Sequence, residues 1–195
     1  ARVVVPMATV EQVEELKAKM REERAALIAA ARSLNPEEAL RVPVDAEGEE
    51  QWTSLEQLAH LWEMERAYDS WVRRALREHS PVVSGQLTEP VDIPVEKANG
   101  SSVGELLQAL ALERAYTFGL IDGMRLEDFD RTATSEVFGT LTVLQWLRSF
   151  YRHDRQHAAQ IQGRQSDYRP NFAGNEPNQR RARLEAVARR DRGRG

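Results

Sequence analysis

Along the chain, apolar residues recur every three or four positions in four separate segments, the spacing that gathers them on one face of an α-helix. In the first, from about Val10 to Leu34, the stripe is Val13, Leu16, Met20, Leu27 and Ala31, and Asn35-Pro36 ends it. The second is predicted from about Ser54 to Glu78, before Ser80-Pro81. A third runs from Ser102 to about Asp122 on Val103, Leu106, Leu107, Leu110, Phe118 and Ile121, and stops at Gly123. The fourth covers about Val143 to Gln162 and stops at Gly163, a residue suited to a helix C-terminus. Each begins at a hydroxyl residue followed three positions later by Glu or Gln: Thr9/Gln12, Thr53/Glu56, Ser102/Glu105 and Thr142/Gln145. Such a capping box satisfies two backbone donors that a helix start leaves unpaired. No strand-like alternation of useful length competes, although Glu136 to Leu141 is expected to be briefly extended.

Four helices with single apolar stripes bury those stripes most simply against one another, so the expected fold is an all-α four-helix bundle spanning residues 9–166. The connections, roughly 35–53, 79–101 and 123–141, are long. At up to ~3.3 Å per residue the middle one can cross the length of a bundle, so the second and third helices are free to run parallel. Residues 1–8 read as an N-terminal extension, and 167–195, with Pro170, Gly174, Pro177 and an Arg-rich end, as an extended or disordered tail.

The charge distribution locates the chemistry in the bundle. The net charge is −4, yet residues 180–195 hold seven Arg against Glu185 and Asp191, which leaves the rest of the chain strongly acidic. An acidic body is not a nucleic-acid-binding surface. No apolar stretch approaches the roughly 20 residues that span a bilayer, and none resembles a secretory leader, so a cytoplasmic protein is expected. The chain has no cysteine. That excludes disulfides, thiolate-bound zinc, iron–sulfur clusters and a cysteine nucleophile, and it leaves nitrogen and oxygen as the available metal donors.

Of the four histidines, three lie on inward faces. His60 shares the apolar side of the second helix with Met64, Ala67, Trp71 and Ala75, alongside Leu61, Tyr68 and Val72. On the fourth helix Trp146, Phe150, His153, His157 and Ile161 follow spacings of three or four, and the i, i+4 pair stacks two imidazoles on one face. His60 is near the start of its helix and His157 near the end of its own. At ~1.5 Å per residue the three rings share one level only if the second and fourth helices are antiparallel. Three neutral imidazoles at one level suit zinc, nickel, iron or copper, with an unfilled coordination position left for water or substrate. A di-iron site would need further inward Glu or His, and the first and third helices offer no histidine.

Two stretches carry a family resemblance. Trp52-Thr-Ser-Leu-Glu-Gln-Leu-Ala-His60-Leu and Thr142-Val-Leu-Gln-Trp-Leu-Arg-Ser-Phe-Tyr-Arg-His153-Asp-Arg-Gln-His157-Ala-Ala-Gln-Ile161 resemble the second and last helices of the DinB/YfiT-like metalloenzymes. The resemblance implies parallel second and third helices, hence antiparallel second and fourth, and a divalent metal, zinc foremost, held by His60, His153 and His157. It also implies frequent homodimers and, in members of known activity, activation of a low-molecular-weight thiol in transferase or isomerase reactions. The expected function is a metal-dependent thiol transferase or hydrolase acting on a small electrophilic substrate. The alternative is a non-catalytic, metal-stabilised bundle serving as a stress-related binding or regulatory protein.

Neighbouring residues extend the expectation. Glu63, one turn beyond His60 at the edge of the stripe, is the catalytic candidate, as proton acceptor, fourth ligand or partner orienting an imidazole. Asp154 is placed to accept a hydrogen bond from an imidazole or an Arg. Tyr68 and Trp146 are candidates for a pocket wall or the core, and Trp62, off the stripe, for a subunit interface or for packing beneath a connection. His79, at the end of the second helix, suits the helix dipole and stands outside the site.

Overall fold

The computed structural model describes residues 8–43, 52–83, 91–168 and 170–173. Its long helices are α1 (Val10–Arg32), α3 (Ser54–Arg77), α4 (Val103–Asp122) and α5 (Val143–Ile161), with a short α2 (Pro36–Ala39) after α1. All four expected capping boxes form: Thr9, Thr53, Ser102 and Thr142 each accept from the backbone N–H three residues on, and Gln12, Glu56, Glu105 and Gln145 reach back. Asn35-Pro36, read as a stop, is also a start, because Asn35 caps α2 with Pro36 in its first turn and Glu38 completing a further box.

Cross-helix contacts give the directions. Gln57 meets His157, His60 meets His153, Tyr68 meets Phe150 and Trp71 meets Trp146, so α3 and α5 are antiparallel. Arg66 pairs with Glu113 and Arg73 with Tyr116, an ascending order that makes α3 and α4 parallel. This is the bundle expected from the helical pattern, in the orientation that the family resemblance implies and that histidines at one level require.

The stretch expected to be extended, Glu136 to Leu141, is so from Gly139 onward, within a small sheet that the sequence did not predict. Strands β1 (Val82–Val83), β2 (Thr132–Ser135) and β3 (Gly139–Thr142) form a small sheet, with β1 parallel and β3 antiparallel to β2. Glu136 and Val137 belong to the turn between β2 and β3, and Gly139 closes it at φ 75°, a left-handed conformation that costs glycine little. Ala133 and Ser135 face inward and Thr134 bonds Thr140 across the pair at 2.7 Å.

The core has two apolar clusters. One joins Leu27 and Ala31 of α1, Leu55, Leu58 and Leu61 of α3, Leu106 and Leu110 of α4, and Ala158 and Ile161 of α5. The other joins Leu16, Met20, Tyr68, Trp71, Ile121, Trp146, Leu147 and Phe150. Tyr68 and Trp146 are therefore core residues of the second cluster. Trp62 is buried in the first with Val91, Val95 and Ala98, beneath the connection that precedes α4.

The tail from 174 onward and residues 1–7 lie outside the described residues. Of the segment assigned to the tail, Asp167 pairs with Arg155, Phe172 stacks on Phe138 at 5.5 Å, and Ala173 N–H donates to Val137. At the other end Ala8 N–H donates to Asp130.

Candidate metal centre

His60 lies in the second turn of α3, and His153 and His157 in the last three turns of α5. Because the helices are antiparallel, the one inward ring of α3 meets the two of α5 at one level. The Nε2 atom of His153 is 3.2 Å from that of His60 and 3.0 Å from that of His157, and the three donor atoms lie within 4.8 Å of one another. His60 and His157 are buried, whereas His153 is half-buried and forms the accessible side of the cluster.

The donor set fits a metal better than it fits a hydrogen-bonded trio. A neutral imidazole nitrogen offers either one proton or one lone pair, so His153 Nε2 cannot make two directed hydrogen bonds of opposite sense. A cation at their centre is complemented by all three lone pairs. Metal–nitrogen bonds of about 2.0–2.1 Å at octahedral to tetrahedral angles separate neighbouring donors by about 2.9–3.4 Å. Both His153 contacts fall in that range, and the wider separation within the 4.8 Å spread of the set closes as the rings turn onto a cation.

Surrounding groups hold the rings in place. Gln57, one turn before His60 and fully buried, places Oε1 2.9 Å from His157 Nδ1. Trp52, buried ahead of the α3 cap, packs edge-on against His60 with centroids 4.7 Å apart. Glu63 is buried, but its Oε1 accepts from the Val95 N–H at 3.4 Å. Among the described residues, the converging group consists of the three histidines and includes neither Glu63 nor another carboxylate.

Asp154, the residue after His153, takes the arginine role foreseen for it, twice over. Its Oδ2 accepts from Arg24 Nε and Arg114 Nη2, both at 2.9 Å, and its Oδ1 from Arg24 Nη2 at 3.1 Å. Glu65 completes the set, accepting from Arg24 Nη2 at 2.6 Å and Arg114 Nε at 2.7 Å, and all four side chains are buried. Burial alone would raise the Glu65 pKa, but the Arg114 and Arg24 guanidiniums outweigh it and hold the carboxyl well below its usual range. Burial likewise works against the charge on Arg24, and Asp154 and Glu65 more than offset it.

Neither Gln57 nor this four-charge cluster was singled out from the sequence. The available signal was helical spacing. Gln57 is three before His60, Arg24 sits between Met20 and Leu27 of the α1 stripe, and Glu65 sits between Leu61 and Tyr68.

The sequence profile of the DinB superfamily matches residues 11–161. No curated protein matches the chain. Among solved structures it is similar to YfiT from Bacillus subtilis, described as a probable metal-dependent hydrolase with an unusual four-helix bundle topology. The two share 18% identity and a TM-score of 0.64, over 83% of this chain and 89% of that one. That likeness is one of fold.

Proposed function

Because the chain belongs to the DinB superfamily, we propose that it is a divalent-metal-dependent enzyme whose ion is held by His60, His153 and His157. The observation that carries this reading is the convergence of three imidazole nitrogens with no carboxylate closing the set among the described residues. A structural site would be closed by a fourth protein ligand. Glu63, the residue best placed in sequence to close it, is bonded instead to the Val95 amide. The description of YfiT as a probable metal-dependent hydrolase supports a metal-dependent reaction.

When bound, the ion would act as a Lewis acid that lowers the pKa of a coordinated thiol or water. The residues of this chain supply the rest. His60 and His157 are anchored in the packed interior, and half-buried His153 leaves a side from which a small nucleophile and an electrophilic substrate can approach. Trp52 and Gln57 keep the rings from rotating away. Since the chain contains no cysteine, a thiol nucleophile would have to be a cosubstrate. Imidazole ligation suits zinc, and also nickel or iron.

The site is tested by metal analysis of full-length protein purified without a nickel resin, beside H60A, H153A and H157A. Bound divalent metal of about one equivalent per chain, strongly reduced in each variant, is expected. Undiminished metal in all three would refute the site. The chemistry is then tested by screening several low-molecular-weight thiols against alkyl and epoxide electrophiles, and esters and amides without thiol. Turnover that needs both metal and the histidines supports the enzyme reading. Metal-independent turnover, unchanged in the variants, counts against it.

A further inference from the structure

Gln57 has an unusual position. It is fully buried, yet its Nε2 has no hydrogen-bond partner, and its Oε1 lies 2.9 Å from His157 Nδ1. Burying a primary amide with a nitrogen left unpaired is unfavourable. Its retention is explained by what the oxygen does. An amide oxygen can only accept, so the facing Nδ1 must carry the proton, and the His157 Nε2, 3.0 Å from that of His153, must then be the lone pair.

The position is set by the seam. On α3, Gln57 and His60 are one turn apart; on α5, His157 and His153 are one turn apart; antiparallel packing sets Gln57 against the first and His60 against the second. Side chains on the same faces thus supply the ligands and the group that orients one of them.

We propose that Gln57 is a positioning residue of the metal centre, accepting the Nδ1 proton of His157 and so presenting the Nε2 lone pair to the cation. The inference rests on the three-histidine site proposed above. Removing such an outer partner weakens metal binding by about 10- to 100-fold.

The test is a titration of metal-stripped full-length protein with Zn²⁺ against a chromophoric chelator, for wild type, Q57L and Q57E, with thermal melting of each metal-free form. Q57L removes the acceptor at nearly constant volume and is expected to raise the Kd by about 10- to 100-fold without lowering the melting temperature. Q57E keeps an acceptor and is expected to bind within a few-fold of wild type. A merely structural glutamine would change melting and leave the Kd alone. Equal Kd values for wild type and Q57L would overturn the role of Gln57 while leaving the histidine site intact. A wild type that binds no Zn²⁺ would instead overturn the site itself. Should Q57L fail to fold, nitrogen-15 NMR of the metal-free wild type decides: a proton on His157 Nδ1 is expected, and a proton on Nε2 overturns the inference.

Discussion

Thr117 has one hydroxyl proton and three acceptors around it: Glu65 Oε1 at 2.9 Å, Asp69 Oδ2 at 2.8 Å and its own helix at Glu113 O, 3.1 Å away. The arrangement balances if Asp69 is protonated, donating to the Thr117 oxygen while Thr117 donates to Glu65. Burial, followed by the negative charges of Glu65 and Glu113, pushes the Asp69 carboxyl up to about 9. The charged groups acting on this acid are Glu65 on α3 and Glu113 on α4. With Asp69 neutral, the two arginines are matched by Glu65 and Asp154. An acid whose folded pKa is raised makes the native state bind more protons than the unfolded one, so its contribution is full below about pH 4 and falls as pH rises to about 9. We therefore expect wild type to lose stability relative to D69N across pH 5–9, by up to about 1.4 kcal/mol per pH unit. Urea unfolding curves over that range provide the check, and parallel pH profiles would show that Asp69 carries no stored proton. None of this was readable from sequence, where a lone Asp on a helix suggests a solvated face. Arg24 is illegible for a similar reason, because a charge within an apolar stripe looks like a break in it until its partners on three other helices are known.

The helices, by contrast, were legible nearly to the residue, because a capping box is a local signal whose chemistry is complete within four positions. The sheet was less so, since β2 and β3 are only four residues each and β1, of two residues, takes its register from a segment about fifty residues away. The caps also carry tertiary information. Thr53 accepts from Glu56 N–H and donates to Asn99 Oδ1 at 2.6 Å, while Asn99 Nδ2 donates to Glu56 Oε1 at 3.1 Å. The start of α3 is thereby tied to the segment leading into α4, as two parallel helices that begin at the same end allow. Thr9 caps α1 through the same box on an exposed edge, where its hydroxyl bonds within its own turn. Loss of a cap hydroxyl costs about 0.5–2 kcal/mol, and T53A should fall at the upper end and T9A at the lower. Chemical denaturation of both, with N99A and T53A/N99A, measures the difference. Equal losses and strict additivity would mean that the Asn99 link contributes nothing.

At the scale of the whole molecule, the polar residues form a layer between the two apolar clusters. The histidine site is in the half built by the N-terminal part of α3 and the C-terminal part of α5, and the aromatic cluster of Tyr68, Trp71, Trp146 and Phe150 fills the other. The four charges between them draw one residue from each long helix. Asp154 follows His153 directly, so its bonds to Arg24 and Arg114 fix the rotation of α5 about its own axis and hence the direction of the two imidazoles. The antiparallel course of α3 and α5 was legible through the family resemblance, which met what three ligands at one level require; this layer was not, because its members are compatible only as a set. Their interdependence is measurable. R24M leaves Glu65 and Asp154 facing one arginine, and breaking a buried pair in this way costs about 3–5 kcal/mol. R24M/D154L removes one charge of each sign and preserves the Arg114–Glu65 pair, whose two bonds are 2.7 and 3.1 Å long. The double variant should be more stable than R24M alone, since the uncompensated carboxylate has gone. Urea unfolding of metal-free wild type, both single variants and the double variant gives the coupling energy. If the two losses simply add, the charges act independently, and the layer cannot be the device that sets α5 against α3.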